Sequence, residues 1–165
     1  MNNEEKGIKV AVIEPPDEEI IQRAAGSILF LPDDWPTEGK EIKYPSTIES
    51  VVKLLRQHKI PVDTLNPIDA TTSLQDNRGL DWIAPTFLVS SLLLTQNPTL
   101  VSVALSIIAN YVTDLCKGLK SDPEVKVKIV QTADNGKKAQ RINYEGPVSG
   151  LPEIEKVLQT FNQNE

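Results

Sequence analysis

Hydrophobic and polar positions divide this chain into three stretches of different character. From Ile8 to Leu65, short apolar runs alternate with polar segments. From Trp82 to Thr113 no residue carries a charged side chain, and Asn97-Pro98 interrupts that run near its middle. From Val125 onward apolar and polar residues alternate, as on a half-buried strand.

In the first stretch, Ile8, Val10, Val12 and Ile13 predict a short buried strand closed by Pro15-Pro16. Asp17 to Ala25 predicts a short helix whose first turn holds Asp17, Glu18 and Glu19, where the helix dipole favours acids. Ile28 to Leu31 predicts a strand stopped by Pro32. A loop follows over Asp33 to Gly39, with Trp35 leaning outward, and then a possible edge strand over Glu41 to Tyr44. Between Thr47 and His58, the residues Ile48, Val51, Val52, Leu54 and Leu55 line one helix face, and Ser46 and Glu49 have capping-box spacing. Pro61 stops this helix. Ile60, Val62 and Leu65 predict a strand ending at Asn66-Pro67, and Ile68 to Gly79 reads as loop.

The uncharged stretch predicts either a packed helical pair or a membrane segment. Asp81 is positioned to cap a helix with Pro85 in its first turn, followed by Phe87, Leu88, Leu92 and Leu93. Asn97 and Pro98 start a second helix at N-cap and N1, which runs to about Leu119. Leu100, Ala104, Ile107, Ile108, Tyr111 and Leu115 form its apolar stripe, widened by Val101, Leu105, Val112 and Leu119. Ser102, Ser106 and Asn110 recur every fourth residue on the remaining face. They mark either its solvent side or a face for self-association. A membrane span needs about 20 mostly apolar residues. Each helix here is shorter on its apolar core, and Thr95-Gln96-Asn97, Asn110 and Asp114 would be buried without partners. A helical hairpin in water is the expected form. The alternative is a peripheral or partially inserted membrane protein using 82–113, with Lys117 and Lys120 at its far end.

In the last stretch, Val125, Val127 and Ile129 alternate with Lys126 and Lys128. Asp134-Asn135-Gly136-Lys137 predicts a hairpin turn, Asn-Gly supplying positive-φ positions. Ile142 and Tyr144 sit on the return strand, Gly146 to Gly150 forms a loop, and Pro152 opens a helix with Ile154, Val157, Leu158 and Phe161 on one face. The expected fold is α+β: a small sheet with a C-terminal β-hairpin, packed against a long broken apolar helix. One domain over 1–165 is expected, with a small α/β unit at 1–67 joined to the helical pair, hairpin and closing helix at 81–165.

Composition narrows the function. The chain has 165 residues, 39% hydrophobic and 24% charged, as in ordinary folded proteins. Its net charge of −6 argues against a nucleic-acid binder that neutralises phosphates. Residues 1–81 carry the whole acidic excess. In the second half the bases crowd into Lys117, Lys120, Lys126, Lys128, Lys137, Lys138 and Arg141, which read either as a solvated sheet face or as a patch for an acidic partner. Cys116 is the only cysteine, so no internal disulfide forms and a cytoplasmic setting fits. The start, Met-Asn-Asn-Glu-Glu-Lys, lacks the pattern of a secretory signal.

No motif points to catalysis. His58 is the only histidine and lies at a predicted helix end, and Lys117 and Lys120, near Cys116 in sequence, form no recognised arrangement that would activate its thiol. The acidic groups at 17–19 and 33–34 lack the spacing of a calcium loop. Glu14-Pro15-Pro16 stands where a phosphate loop would need backbone donors. No catalytic, metal or cofactor residue is expected.

The segments FLVSSLLL, LVSVALSIIANYVTDLCKGLK, VKVKIVQTADNGKKAQRINYEG and LPEIEKVLQTF follow one another as apolar helix, joint, hairpin and closing helix. In this order the chain resembles the effector-associated constant-component proteins of bacterial conflict systems, which also begin with a small α/β stretch. The resemblance implies a non-enzymatic adaptor that pairs with separate effector proteins, and no individual functional residue is carried over from it. The residues themselves lead to a related expectation. The helix from Pro98 to Leu119 is apolar around more of its circumference than one small sheet covers, which predicts a homo-oligomer through that helix. Its candidate interface residues are Ser102, Ser106 and Asn110, with Lys126 and Lys128 on the hairpin.

Overall fold

A computed structural model describes residues 7–33, 35–36, 41–70, 72–75, 82–116 and 123–163. In chain order the elements are β1 (Gly7–Ile13), α1 (Glu18–Arg23), β2 (Ile28–Leu31), β3 (Lys43–Pro45), α2 (Ile48–Gln57), β4 (Val62–Thr64), β5 (Ser73–Gln75), β6 (Trp82–Ile83), β7 (Thr86–Ser90), α3 (Ser91–Gln96), α4 (Leu100–Leu115), β8 (Glu124–Ala133), β9 (Lys138–Pro147) and α5 (Glu153–Gln163), with a 3-10 turn at Val148–Gly150 before α5. The class is α+β, as the alternating runs predict.

The main sheet has the order β1-β9-β8-β7-β2-β4, and β6 also pairs with β8. The β8–β9 hairpin and the β1–β9 and β2–β7 pairs are antiparallel, whereas β7–β8 and β2–β4 are parallel. A small second sheet joins β3 and β5. Because β1 lies against β9 while β2 and β4 lie beyond β7, the segments 1–67 and 81–165 share one sheet. The 1–67 stretch thus contributes β1, β2 and β4 to the same sheet as β7, β8 and β9.

Alternation along the strands sorts their side chains between two faces. Phe30, Phe87, Val89, Val127, Ile129 and Ile142 point into the larger core, where α2, α4 and α5 cover them. Phe30 and Phe87 meet edge to face, with ring centroids 5.9 Å apart. On the opposite face Leu29, Leu31, Leu88 and Val130 form a smaller core, closed by Ala24 and Ile20 of the α1 region and by Trp35. Trp35, expected to lean outward, is thus half-buried over this face.

Several local expectations hold. The short helix forms with Glu18 and Glu19 in its first turn, while Asp17, expected in that turn, is its N-cap, the carboxylate accepting the Ile20 N–H at 3.1 Å. The hairpin turn falls at Asp134–Lys137, but it has three successive positive φ values, at Asp134, Asn135 and Gly136, not the two expected of Asn-Gly. The Gly136 N–H donates to Ala133 O and the Lys137 N–H to Asp134 O, so two overlapping turns reverse the chain.

Other expectations are corrected. The predicted helix beginning near Trp82 is absent: Trp82–Ile83 and Thr86–Ser90 are strands, and helix starts only at Ser91, capped by Ser90. Apolar residues run continuously here because β7 is buried on both faces, and such a run has no periodicity to separate strand from helix. The five residues from Ile83 to Phe87 span the four from Lys126 to Ile129, so a bulge occurs at Ala84-Pro85, where proline lacks an N–H for the ladder. The long broken helix thus reduces to α3 and α4. Asn97 ends α3, and Thr99, not Asn97, is the N-cap residue of α4. Thr47, not Ser46, precedes α2, and it makes no side-chain capping bond. Asp81, Lys117, Gly118, Leu119 and Lys120 lie outside the described residues.

β1 is a strand but not a buried one. It forms the outer edge of the sheet, with Val10 49% and Val12 88% exposed.

Candidate functional site

The two faces of the main sheet are covered unequally. Three helices close one face, while α1 and Trp35 close only part of the other. Beyond them the second face carries polar rows set by the strand register. Lys9 of β1 pairs with Asn143 of β9, which pairs with Lys128 of β8. In the next row Gly7 pairs with Glu145, which pairs with Lys126. Ala11, Arg141 and Val130 make the row on the other side of Lys9, where the polar surface meets the small core.

The first two of these rows line an open depression of about 490 Å³, with Thr86 and Asp33 at its margin. Alternation explains the arrangement. Val125, Val127 and Ile129 face the helices, so Lys126 and Lys128 must face away from them.

Lys126 Nζ lies 3.9 Å from Glu145 Oε1, a loose and half-exposed ion pair. Such pairs are worth at most about 1 kcal/mol. Lys9 and Lys128 have no carboxylate within 4.0 Å among the described residues. Arg141 is half-buried, and its Nε finds no hydrogen-bond acceptor.

The other sequence-derived candidates lie elsewhere. Ser102, Ser106 and Asn110 are on the outer side of α4, across the molecule from the lysine rows, because α4 covers the opposite face of the sheet. Ser106 and Asn110 are exposed and Ser102 half-exposed. The Ser102 hydroxyl donates to Thr99 O at 3.0 Å and the Ser106 hydroxyl to Ser102 O at 2.9 Å. The hydroxyl donors of Ser102 and Ser106 are thus satisfied within the helix.

Much of the apolar circumference from which self-association through α4 is expected is covered within the chain itself. Val101, Ala104, Leu105, Ile107, Ile108 and Val112 are buried by the chain's own sheet and helices, which leaves Val103 and Leu115 as the exposed large apolar residues of α4. The sheet covers more of α4 than expected because it is wider than the hairpin alone predicts.

The basic cluster read from sequence is split. Lys126, Lys128 and Arg141 share the open face, whereas Lys137 and Lys138 stand at and beside the hairpin turn. Lys9 and Asn143 complete the site and were missed. The alternation of Ile8, Lys9 and Val10 signals that Lys9 opposes the apolar face of β1, but nothing local tells which distant strand β1 joins.

His58 is exposed, and its Nδ1 lies 3.0 Å from Leu54 O, which requires that nitrogen to carry the proton and donate. Cys116 is half-buried at the end of α4. No group of three metal-ligating side chains occurs among the described residues. No helix among them is long and apolar enough to cross a membrane.

Comparison with known proteins gives no match: no family model, curated protein or solved structure is similar to this chain.

Proposed function

We propose that this chain is a non-enzymatic protein–protein interaction module that docks an acidic segment of a partner on the open sheet face around Lys9, Lys128 and Lys126. The observation that carries this reading is the row Lys9–Asn143–Lys128, in which two lysines without ion-pair partners among the described residues flank an amide across three adjacent strands. The chain as a whole has a net charge of −6, so this local positive surface is set against a generally acidic molecule. A segment rich in Asp and Glu is drawn to the lysines, and Asn143 supplies a donor and an acceptor between them. The resemblance to effector-associated constant-component proteins points the same way, toward an adaptor that meets an effector protein. A cytoplasmic location fits the single cysteine.

Fluorescence anisotropy with a labelled decaglutamate peptide tests the reading. Binding is expected at low ionic strength, weakening as salt screens the lysines. The double substitution Lys9→Glu with Lys128→Glu should weaken it by roughly tenfold or more, since each reversal turns attraction into repulsion. Absence of binding at low salt, or equal binding by the double variant, rejects the proposal.

A further inference from the structure

We infer that β1 pairs with β1 of a second copy of this chain, joining two main sheets edge to edge and bringing their lysine rows onto one continuous face. The inference rests on the docking surface proposed above only for its functional meaning. The pairing itself is argued from β1.

Among the described residues β1 is the terminal strand on its side of the main sheet, bonded to β9 along one edge for all seven residues from Gly7 to Ile13. Its other edge faces away from the sheet. Natural edge strands are usually shortened, bulged, charged or covered, because an open ladder recruits another strand. Here the register with β9 runs without a bulge, the sequence GIKVAVI contains a single charge, and Val10 and Val12 are 49% and 88% exposed.

The sequence of β1 fits a copy of itself. Full antiparallel overlap of seven residues centres the two-fold axis on Val10, which then opposes Val10 of the second copy. Ile8 opposes Val12, and these three apolar positions form one cross-strand surface on the helical side. Lys9 opposes Ala11, so the only charge in the strand never faces its own copy. The two Lys9 side chains stand diagonally, roughly 7–8 Å apart. A partner strand of different sequence carries no such built-in match, which is why a second copy is the occupant favoured here.

The pairing also extends the docking site. Lys9 lies at the rim of the depression in one copy and becomes central when the sheets join. From Lys128 of one copy to Lys128 of the other, the order is β8-β9-β1 and then β1-β9-β8 of the second. Five strand spacings separate them, about 24 Å. Ten extended residues reach roughly 33 Å, so one decaglutamate peptide spans both rows.

Sedimentation velocity on the full chain, from low to high micromolar concentration, tests the inference. The wild type should pass from monomer to dimer. Val10→Lys and Val10→Glu should each remain monomeric, because each places like charges face to face at the axis, and residue 10 is exposed enough for the monomer to accept either. An equimolar mixture of the two should recover dimer, which loss of folding in either variant would not produce. In a Cys116→Ser background, Val10→Cys should form an intermolecular disulfide under mild oxidation, since directly opposed strand positions have suitable Cβ separation. A strictly monomeric wild type, a Val10→Lys protein that still dimerises, or a mixture that stays monomeric overturns the inference. Decaglutamate binding by a protein that proves monomeric would leave the docking proposal standing while this one falls. Dimerisation without peptide binding would do the reverse.

Discussion

Gln131 of β8 and Gln140 of β9 face each other across the hairpin, and the Gln140 side-chain amide donates to Gln131 Oε1 at 2.9 Å. The Gln131 amide in turn donates to the Leu158 carbonyl of α5 at 2.9 Å. Both side chains are buried, so this chain of bonds ties the closing helix to the sheet through groups that water does not reach. A buried polar group left without its partner costs about 1–3 kcal/mol. Gln131→Ala removes both the acceptor of the Gln140 amide and the donor to the Leu158 carbonyl, whereas Gln140→Ala removes only the donor to Gln131 Oε1. Urea denaturation should show a loss of about 2–4 kcal/mol for Gln131→Ala and a clearly smaller loss for Gln140→Ala. Equal losses would mean that the link to α5 contributes nothing.

The hairpin, α2 and α5 were legible in the sequence because each buries one face and shows its period: Val125, Val127 and Ile129 at period two, and Ile48, Val51, Val52 and Leu55 at helical spacing. The centre of the sheet was not legible. Phe87, Leu88 and Val89 point alternately to two covered faces, so all three are apolar and the alternation vanishes. Half of the candidate site followed from the same logic. Lys126 and Lys128 could be assigned to the uncovered side of their strand, but their neighbours Lys9 and Asn143 depend on which strands pair over more than a hundred residues of chain. The exposed edge at β1 was hidden for a related reason, since a β-branched run looks the same at the centre of a sheet and at its margin.

Tyr44 gives the fold an alkaline limit. Its hydroxyl is buried, donates to Phe30 O at 3.4 Å and accepts the Asn66 N–H at 3.3 Å. Burial raises its pKa above the ordinary 10.0, and the Asn66 bond, which favours the phenolate, opposes this only in part. The folded state therefore holds the proton to higher pH than the unfolded chain does. The stabilisation is complete below about pH 10 and is lost as pH rises from there through the folded pKa. Urea midpoints measured across this range should fall more steeply for the wild type than for Tyr44→Phe, which has no proton to lose. At neutral pH the same variant should be less stable by about 1 kcal/mol, the net worth of a hydrogen bond. Parallel profiles above pH 10 would exclude Tyr44 as the source of the slope.

Arg23 fastens α1 to the end of β4. Its Nη1 donates to Leu65 O at 2.7 Å, and its Nη2 donates to Thr64 O at 2.9 Å and to Asp63 Oδ2 at 3.2 Å. The carboxylate is half-exposed and also lies 4.0 Å from Arg56. An exposed ion pair contributes at most about 1 kcal/mol, whereas the two carbonyl bonds each involve a charged donor and are worth more. Arg23→Ala should therefore destabilise by about 1–3 kcal/mol, and Asp63→Ala by less than about 1 kcal/mol. Arg23→Lys should recover little, because an ammonium cannot fork across carbonyls one residue apart. Thermal melts of the three variants decide between the carbonyl bonds and the carboxylate as the working contact.

Gly136 joins the hairpin turn to α1 and has two reasons to be glycine. Its φ is +84°, where an L side chain is strained, and a Cβ there would press into the side chain of Ile21, at 2.9 Å from Cγ2 and 3.0 Å from Cγ1. Positive φ alone costs a non-glycine residue about 1–2 kcal/mol, and forcing a methyl into a filled space adds about 1–3 kcal/mol. Gly136→Ala should thus lose more stability than Asn135→Ala, since Asn135, at φ +55°, already carries a Cβ. The two contributions separate in a double-mutant cycle with Ile21→Ala. Removing the Ile21 side chain relieves the overlap but leaves the backbone strain, so the double variant should be more stable than the sum of the single losses predicts. Additive losses would show that Ile21 already yields to the methyl group and that the turn conformation alone requires glycine.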